Sequence, residues 1–153
     1  LLKQGVFRIP PDTVFGQVIR ACAAAPRPRQ DGTWITPEMI DAYCGLHRQG
    51  YAHSFEAWHG DNLAGGLYGI SIGGCFFGES MFSWETNASK AAFVRMVRQC
   101  AEWGIPLIDC QLANPHLLRL GAREVPRSLF LDLLEKHLRA ETRRGPWTLS
   151  QGL

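Results

Sequence analysis

Apolar residues recur along this chain with two different spacings. Between residues 51 and 82 they mostly alternate with small or polar residues, which is typical of strands. Glycine-rich turns at 60–62 and 73–74 divide this part of the chain. Between residues 87 and 103 apolar residues recur every three or four positions, which predicts a long helix. The predicted strands are 51–59, 63–72 and 75–82, and the inward side of the helix is Phe93, Met96, Val97, Cys100 and Trp103.

Shorter patterns flank this central region. Asp12 can cap a helix that reaches about residue 24, and Thr36 followed by Pro37 predicts a second helix that ends near residue 48. This order predicts a single α/β (α+β) domain in which helices flank a central, mostly antiparallel mixed sheet. It is also the order of acyl-CoA N-acetyltransferase-like (GNAT-like) folds, although a fold alone does not define a function. The remaining predicted elements are strands at 7–9, 107–111 and 123–125, a short helix at 115–120 and a last helix at 128–140.

Composition excludes several classes of protein. With 153 residues, of which 46% are apolar, the chain is long enough for one domain with its own core. No apolar run approaches the roughly 20 residues that a membrane helix needs. The net charge of +2 says little about partners. Arg139, Arg143 and Arg144 fit either a phosphate-binding edge or the solvated end of a helix.

No cofactor or metal is expected from the sequence. The five cysteines are an odd set without a CxxC pair, which favours buried free thiols in a reducing cytoplasm. The five histidines show no spacing typical of zinc ligands. Residues 84–90, WETNASK, where a GNAT-like enzyme would bind a pyrophosphate, contain no glycine, so an acetyl-CoA enzyme is disfavoured. The cysteines are Cys22, Cys44, Cys75, Cys100 and Cys110.

Candidate chemistry lies in two blocks of sequence. Residues 65–81, GGLYGISIGGCFFGESM, have strand character but contain six glycines. Glycine within a strand often marks a bulge or a ligand that lies close to the main chain. Residues 107–111, LIDCQ, place Asp109 and Gln111 two positions apart. On a strand this spacing directs both polar side chains to one face, with Ile108 and Cys110 on the other, buried face.

These blocks resemble the leucyl/phenylalanyl-tRNA–protein transferase family. The resemblance extends from about residue 7 to residue 138 and includes GTWIT at 32–36, GYAHS at 50–54, NASK at 87–90 and GAREVPR at 121–127. It implies a bacterial, cytoplasmic enzyme that moves leucine or phenylalanine, with methionine as a further candidate, from aminoacyl-tRNA to an acceptor protein. The acceptor would begin with arginine or lysine and would be tagged for N-end-rule degradation. The family's N-terminal domain is expected to be missing, so that residues 1–153 form a single GNAT-like transferase domain.

The resemblance also implies roles for single residues. Asp109, Gln111 and Glu79 match the family's catalytic positions, and Trp34 is the candidate to stack on the 3′-terminal adenine of the tRNA. From the residues alone, Asp109 could instead satisfy buried backbone donors, and Glu79 could cap a strand end. The positions that match the family's aminoacyl pocket are Leu67, Phe76, Met81, Phe93 and Met96. Apolar residues at these positions are equally typical of an ordinary core, and a loop tryptophan is equally typical of a lid over it.

The implied reaction requires few groups. An aminoacyl-tRNA ester is already activated, so peptide transfer needs positioning, a route for the amine proton and donors near the developing oxyanion. No covalent nucleophile is required, and Cys110 is not expected to act as one. Two other functions stay open: a different acyl- or aminoacyl-transferase on the same scaffold, and a catalytically silent RNA- or peptide-binding remnant.

Overall fold

The centre of the fold is a four-stranded sheet. The computed structural model describes residues 5–27 and 31–149. The strands are β1 (Ala52–His59), β2 (Asn62–Ile72), β3 (Cys75–Ser83) and β4 (Leu107–Asp109). They lie in the order β1-β2-β3-β4. The first three form an antiparallel meander, and β4 lies parallel to β3. The predicted mostly antiparallel mixed sheet is therefore confirmed.

Five helices pack around the sheet in the described part of the chain. They are α1 (Phe15–Ala24), α2 (Pro37–Arg48), α3 (Ala88–Glu102), α4 (Pro115–Arg119) and α5 (Arg127–Leu138). Local chemistry starts two of them. Thr36 Oγ1 accepts a hydrogen bond from the Met39 N–H at 3.3 Å, as the sequence predicts for α2. Asn114 Oδ1 accepts from the Leu117 N–H at 2.9 Å and starts α4 in the same way.

The sheet separates two apolar clusters. α1 and α2 cover one face, where Ile19 clusters with Tyr68. α3 covers the other face, where Phe93 and Met96 cluster with Leu67. Leu67 and Tyr68 are successive residues of β2 and therefore point to opposite faces. The predicted inward side of α3 is confirmed, because its members are either buried or packed against the same cluster.

Three predicted strands differ from the structure. Residues 7–9 form no strand, and two isolated bridges, Arg8–Trp58 and Pro11–Phe55, lie between residues 8–11 and β1. The strand predicted at 107–111 ends at Asp109, because the backbone turns immediately afterwards. Residues 123–125 form no strand, since all three are exposed and pair with no neighbouring strand of the described chain.

A distant residue, rather than the predicted Asp12 cap, holds the start of α1. Asp12 has a φ of 57°, and the N-cap is Val14, which makes no side-chain hydrogen bond. Oε2 of Glu56, on β1, accepts hydrogen bonds from Thr13 Oγ1 at 2.8 Å and from the Thr13 N–H at 3.3 Å. Burial raises the pKa of Glu56, and hydrogen bonds from Ser54 and Thr13 oppose that effect. A tertiary contact to Thr13, the residue before the N-cap, therefore fixes the chain where α1 begins.

The Asp12 carboxylate joins three segments that are far apart in the sequence. Its Oδ2 accepts hydrogen bonds from His53 Nδ1 at 2.8 Å and from the Trp147 N–H at 2.7 Å, and its Oδ1 accepts from the Ser54 N–H at 3.0 Å. The Asp12 side chain is only 1% exposed. The His53 ring also stacks on the Trp147 ring, with centroids 3.6 Å apart and planes 1° from parallel. This buried carboxylate thus fastens residues 142–147 to β1.

The three arginines near the C-terminus make contacts within the chain. The Arg143 guanidinium lies 4.5 Å from the centre of the Trp103 ring, and Arg144 Nε donates to the Gln49 carbonyl oxygen at 2.9 Å. Both contacts hold the segment 142–147 in place. Arg139 forms an exposed ion pair with a glutamate one helical turn earlier, as expected at a solvated helix end.

We expect Asp12→Ala to lower the free energy of unfolding by about 3–5 kcal/mol, because three buried donors lose their acceptor. Urea unfolding followed by tryptophan fluorescence would measure the change. Asp61→Ala, in the exposed turn between β1 and β2, is the matched control and should change stability by less than about 0.5 kcal/mol. Equal unfolding midpoints for the two variants would contradict the role assigned to Asp12.

Candidate active site

A cavity of about 390 Å³ opens where β3 and β4 part. Pairing between these strands ends at Phe77 and Asp109, whereas β3 continues to Ser83. The far side of the gap is bordered by most of the residues that lead from β4 into α4, namely 110–112, 114, 116 and 117. The apolar wall consists of Leu67, Met81, Phe93, Met96, Ile108 and Leu117.

Glu79 reaches this cavity through a β-bulge. In the pairing of β2 with β3, Tyr68 lies opposite Ser80 and Gly69 lies opposite Gly78, so Glu79 has no partner. An extra residue of this kind re-aims the side chains of its strand and is over-represented beside active sites. The bulge requires a glycine on β2, because a Cβ on Gly69 would lie 2.3 Å from a carbonyl oxygen of β3.

Gln111 is held in a turn directly after β4. Its φ is 64°, a left-handed conformation that is uncommon for a residue with a side chain. Asp109 Oδ1 stabilises the turn by accepting a hydrogen bond from the Gln111 N–H at 2.7 Å. Gln111 Nε2 donates to the Gly78 carbonyl oxygen at 2.8 Å, across the gap. Within the described residues Gln111 Oε1 receives no hydrogen bond, which leaves it free to accept one from a ligand.

The prediction that Asp109 and Gln111 share one strand face is corrected. β4 ends at Asp109, and the turn interrupts the alternation of side chains, so Ile108, Cys110 and Gln111 all line the cavity. The Asp109 side chain is not part of the lining. Asp109 is connected to the cavity through its hydrogen bond to Gln111.

The predicted pocket positions meet at the cavity with one exception. Phe76 is fully buried beneath it, with its ring centroid 6.1 Å from that of Trp147, and does not line the wall. The bulge at Glu79 shifts the alternation of β3, so that Phe76 shares a face with Met81 although only Met81 lies at the gap. Trp34 borders the cavity and is 41% exposed. The predicted positions that line the cavity are Leu67, Met81, Phe93 and Met96.

Sequence reasoning missed the polar wall on the α1 side of the sheet. Arg27 Nη2 donates to Ser80 Oγ at 2.6 Å, and the buried Tyr68 hydroxyl has no partner in the described chain. The rings of Tyr43 and Tyr68 meet edge to face at 5.3 Å. Burial, followed by the negative charge of Glu79, raises the pKa of Tyr43 to about 12. Strand alternation could have assigned Tyr68 to this wall, but no sequence signal marks Arg27, which lies in a loop.

Cys110 lines the cavity as a half-buried thiol, contrary to its predicted place on the opposite face. Burial, and then the negative charge of Asp109, raises the pKa of the thiol above its usual 9.0. Cys110 is therefore protonated at neutral pH and is a poor nucleophile. His116 borders the same wall, and burial followed by the charges of Lys90 and Arg119 lowers its pKa, which favours the neutral imidazole. All five cysteines are free thiols.

The split sheet and the cavity at its opening define a GNAT-like domain. The fold is similar to that of an aminoglycoside acetyltransferase from an uncultured soil metagenomic sample, with a TM-score of 0.52 at 13% identity over 98% of both chains. It is also similar to a transcriptional regulator from Bacillus halodurans C-125, with a TM-score of 0.51 at 12% identity over 94% of this chain and 99% of that one. These similarities concern the fold alone and confirm the predicted fold class.

The chain belongs to the leucyl/phenylalanyl-tRNA protein transferase family, whose sequence profile matches residues 1–135. The leucyl/phenylalanyl-tRNA–protein transferase of Anaeromyxobacter sp. strain Fw109-5 is 57% identical over 151 residues, which are 99% of this chain and 64% of that protein. The enzyme of Myxococcus xanthus strain DK1622 is 50% identical over 147 residues, 96% of this chain and 63% of that protein. The chain thus spans slightly less than two thirds of these relatives. No described helix has the length and apolar character needed to cross a membrane.

Proposed function

We propose that this domain transfers leucine or phenylalanine, with methionine as a further donor, from aminoacyl-tRNA to the N-terminal arginine or lysine of an acceptor protein. Membership of the family supports this activity. The observation that carries the proposal is that Gln111 and Glu79 both line a largely apolar cavity. Such a cavity offers an acceptor for an amine beside space for an apolar side chain. Acceptors tagged in this way would enter N-end-rule degradation. The five free thiols of the domain fit a cytoplasmic location for it.

In the proposed reaction the protein supplies position rather than a reactive group. The α-amine of the acceptor, with a pKa of about 8, is partly neutral at physiological pH and attacks the carbonyl carbon of the ester. A C–N bond forms, the ester C–O bond breaks, and the 3′ oxygen of the tRNA leaves as a hydroxyl with the proton that the amine gives up. Gln111 Oε1 would hold an amine hydrogen and so orient the lone pair on the nitrogen. Asp109 acts as a positioning residue, because it holds Gln111 in its left-handed turn.

The apolar wall is the proposed site for the donor side chain. Leu67, Met81, Phe93 and Met96 would surround a leucine or phenylalanine side chain, whose burial contributes about 1.5–3 kcal/mol. Phe76 would support this wall from beneath. Trp34, at the rim, is the proposed platform for the 3′-terminal adenine.

Glu79 is the proposed partner of the acceptor's cationic side chain. Glu79 is the unpaired residue of the bulge, lines the cavity and follows Gly78, whose carbonyl oxygen accepts the hydrogen bond from Gln111. An ionised carboxylate there would favour arginine or lysine over an uncharged first residue. The Tyr43 hydroxyl, whose pKa the charge of Glu79 helps to raise, would orient that carboxylate.

We further propose that residues 1–153 act as a single transferase domain. The test is a transfer assay with leucyl-, phenylalanyl- and methionyl-tRNA and with peptides that begin with arginine or lysine, read out by mass spectrometry. Binding of an aminoacyl-tRNA analogue without transfer would indicate a silent binding module. Thermal stabilisation by acetyl-CoA would instead favour a different acyltransferase.

Gln111→Ala should lower kcat/KM for transfer by about 10- to 100-fold, because a hydrogen bond to the reacting amine and the tie to Gly78 are both lost. Circular dichroism should show an unchanged fold. Gln17→Ala, at an exposed position of α1, is the matched control and should leave transfer unchanged. Full activity of the Gln111→Ala variant would remove Gln111 from the mechanism.

Leu67→Phe should depress phenylalanine transfer more than leucine transfer, by about fivefold or more, because the larger donor overpacks a narrowed cavity. Competition between the two charged tRNAs would measure this ratio directly. Leu63→Phe makes the same change on β2 outside the cavity and should leave the ratio unchanged. Equal losses for both donors in Leu67→Phe would mean that this wall is only core.

Glu79→Gln should reduce the preference for an arginine peptide over one with an uncharged first residue by about one to two decades, while the donor preference stays the same. Two peptides that differ only at the first residue, mixed in one reaction, would report the preference. Glu85→Gln, outside the cavity, is the control. An arginine preference that survives in Glu79→Gln would move the cation site elsewhere.

A further inference from the structure

We infer that the acceptor polypeptide binds as an added strand on the free edge of β3, parallel to β3 and in line with β4. This inference rests on the proposed function and extends it from the first residue of the acceptor to its main chain. It follows from the unequal lengths of β3 and β4, from the course of the cavity and from the position of Gln111.

Among the described strands, none pairs with the outer edge of β3 over its second half. Pairing with β4 ends at Phe77, and the carbonyl oxygen of Gly78 is bonded by Gln111. Within residues 5–27 and 31–149, no further main-chain or side-chain group bonds to the outer edge of residues 79–83. At about 3.3 Å per residue this edge is about 16 Å long, which is enough for four or five residues of extended chain.

This free edge faces the cavity. Gly78, Glu79, Ser80 and Met81 line the cavity in succession and are half-buried. Unpaired strand edges are templates for another extended chain, and edges that are left open are normally covered or blocked. A cavity that follows such an edge is therefore suited to a ligand that is itself made of peptide groups.

The position of Gln111 sets the direction of the added strand. An α-amine bonded to Gln111 Oε1 lies at the Gly78 end of the free edge. The acceptor chain then runs from Gly78 toward Ser83, in the direction of β3, and occupies the place that β4 leaves after Asp109. Its first side chain lies beside Glu79, where the proposed function places the acceptor's cation.

Pairing of this kind explains how one site would accept many proteins. The hydrogen bonds involve main-chain groups that every acceptor has, so only the first residue is read by its side chain. Side chains of the following residues would point alternately into and out of the cavity.

Replacement of amides by esters in the acceptor peptide tests the pairing one residue at a time. The N–H of residues two to five of a peptide made of arginine followed by alanines is replaced singly by an ester oxygen, which removes the donor and keeps the shape. In a parallel edge strand only alternate residues bond to the neighbouring strand. We therefore expect kcat/KM for transfer to fall about threefold to tenfold at alternate positions and to stay within about twofold at those between.

N-methylation at the same four positions is a second measurement, because a methyl group both removes the donor and blocks approach of the edge. It should show the same alternation with larger losses. Equal losses at all four positions, or no loss at any of them, would overturn the pairing. Transfer to the unmodified peptide would in that case still support the proposed function. No transfer to the unmodified peptide would overturn the proposed function and this inference with it.

Discussion

The extra residue at Glu79 determines how the whole site is arranged. Before it, β3 lies between β2 and β4, and after it β2 is the only described strand that pairs with β3. Because the bulge shifts the alternation by one position, Met81 turns toward α3 and Ser80 toward Arg27. Glu79 itself is left at the opening. One residue inserted in a ladder therefore assigns the apolar wall, the polar wall and the acidic group to their places.

The end of β4 is the second constraint, and a local hydrogen bond produces it. The Asp109 carboxylate accepts from the Gln111 N–H, a contact that competes with continued strand pairing. A left-handed backbone at a residue with a side chain costs about 1–2 kcal/mol. The hydrogen bonds of the Gln111 N–H and Nε2 offset that cost. The same arrangement both opens the cavity and holds the glutamine across the gap.

Stability and the candidate site depend on different parts of the sheet. The buried Asp12 network joins the start of α1, β1 and the segment 142–147, and none of its described residues lines the cavity. Arg144 binds the chain near Gln49 and strengthens the same attachment. The network holds β1 in place, whereas the gap lies between β3 and β4, farther along the sheet.

Local patterns in the sequence determined β1, β2, β3, α2 and α3 to within one residue, because alternation, glycine turns and caps involve residues that are close in the chain. The resemblance to the family, rather than any periodicity, identified Leu67, Met81, Phe93 and Met96 as pocket positions, and all four line the cavity. Only the tertiary structure decided that Asp12 binds His53 and Trp147 instead of capping α1, that Phe76 is core, and that Arg27 reaches Ser80. It also decided that Gln111 and Cys110 share the cavity, because a bulge and a left-handed turn break the simple alternation on which sequence reasoning depends. A hydrogen bond between residues more than 40 positions apart leaves no periodic trace in the sequence, and the partner that satisfies a buried carboxylate is known only once the strands are paired.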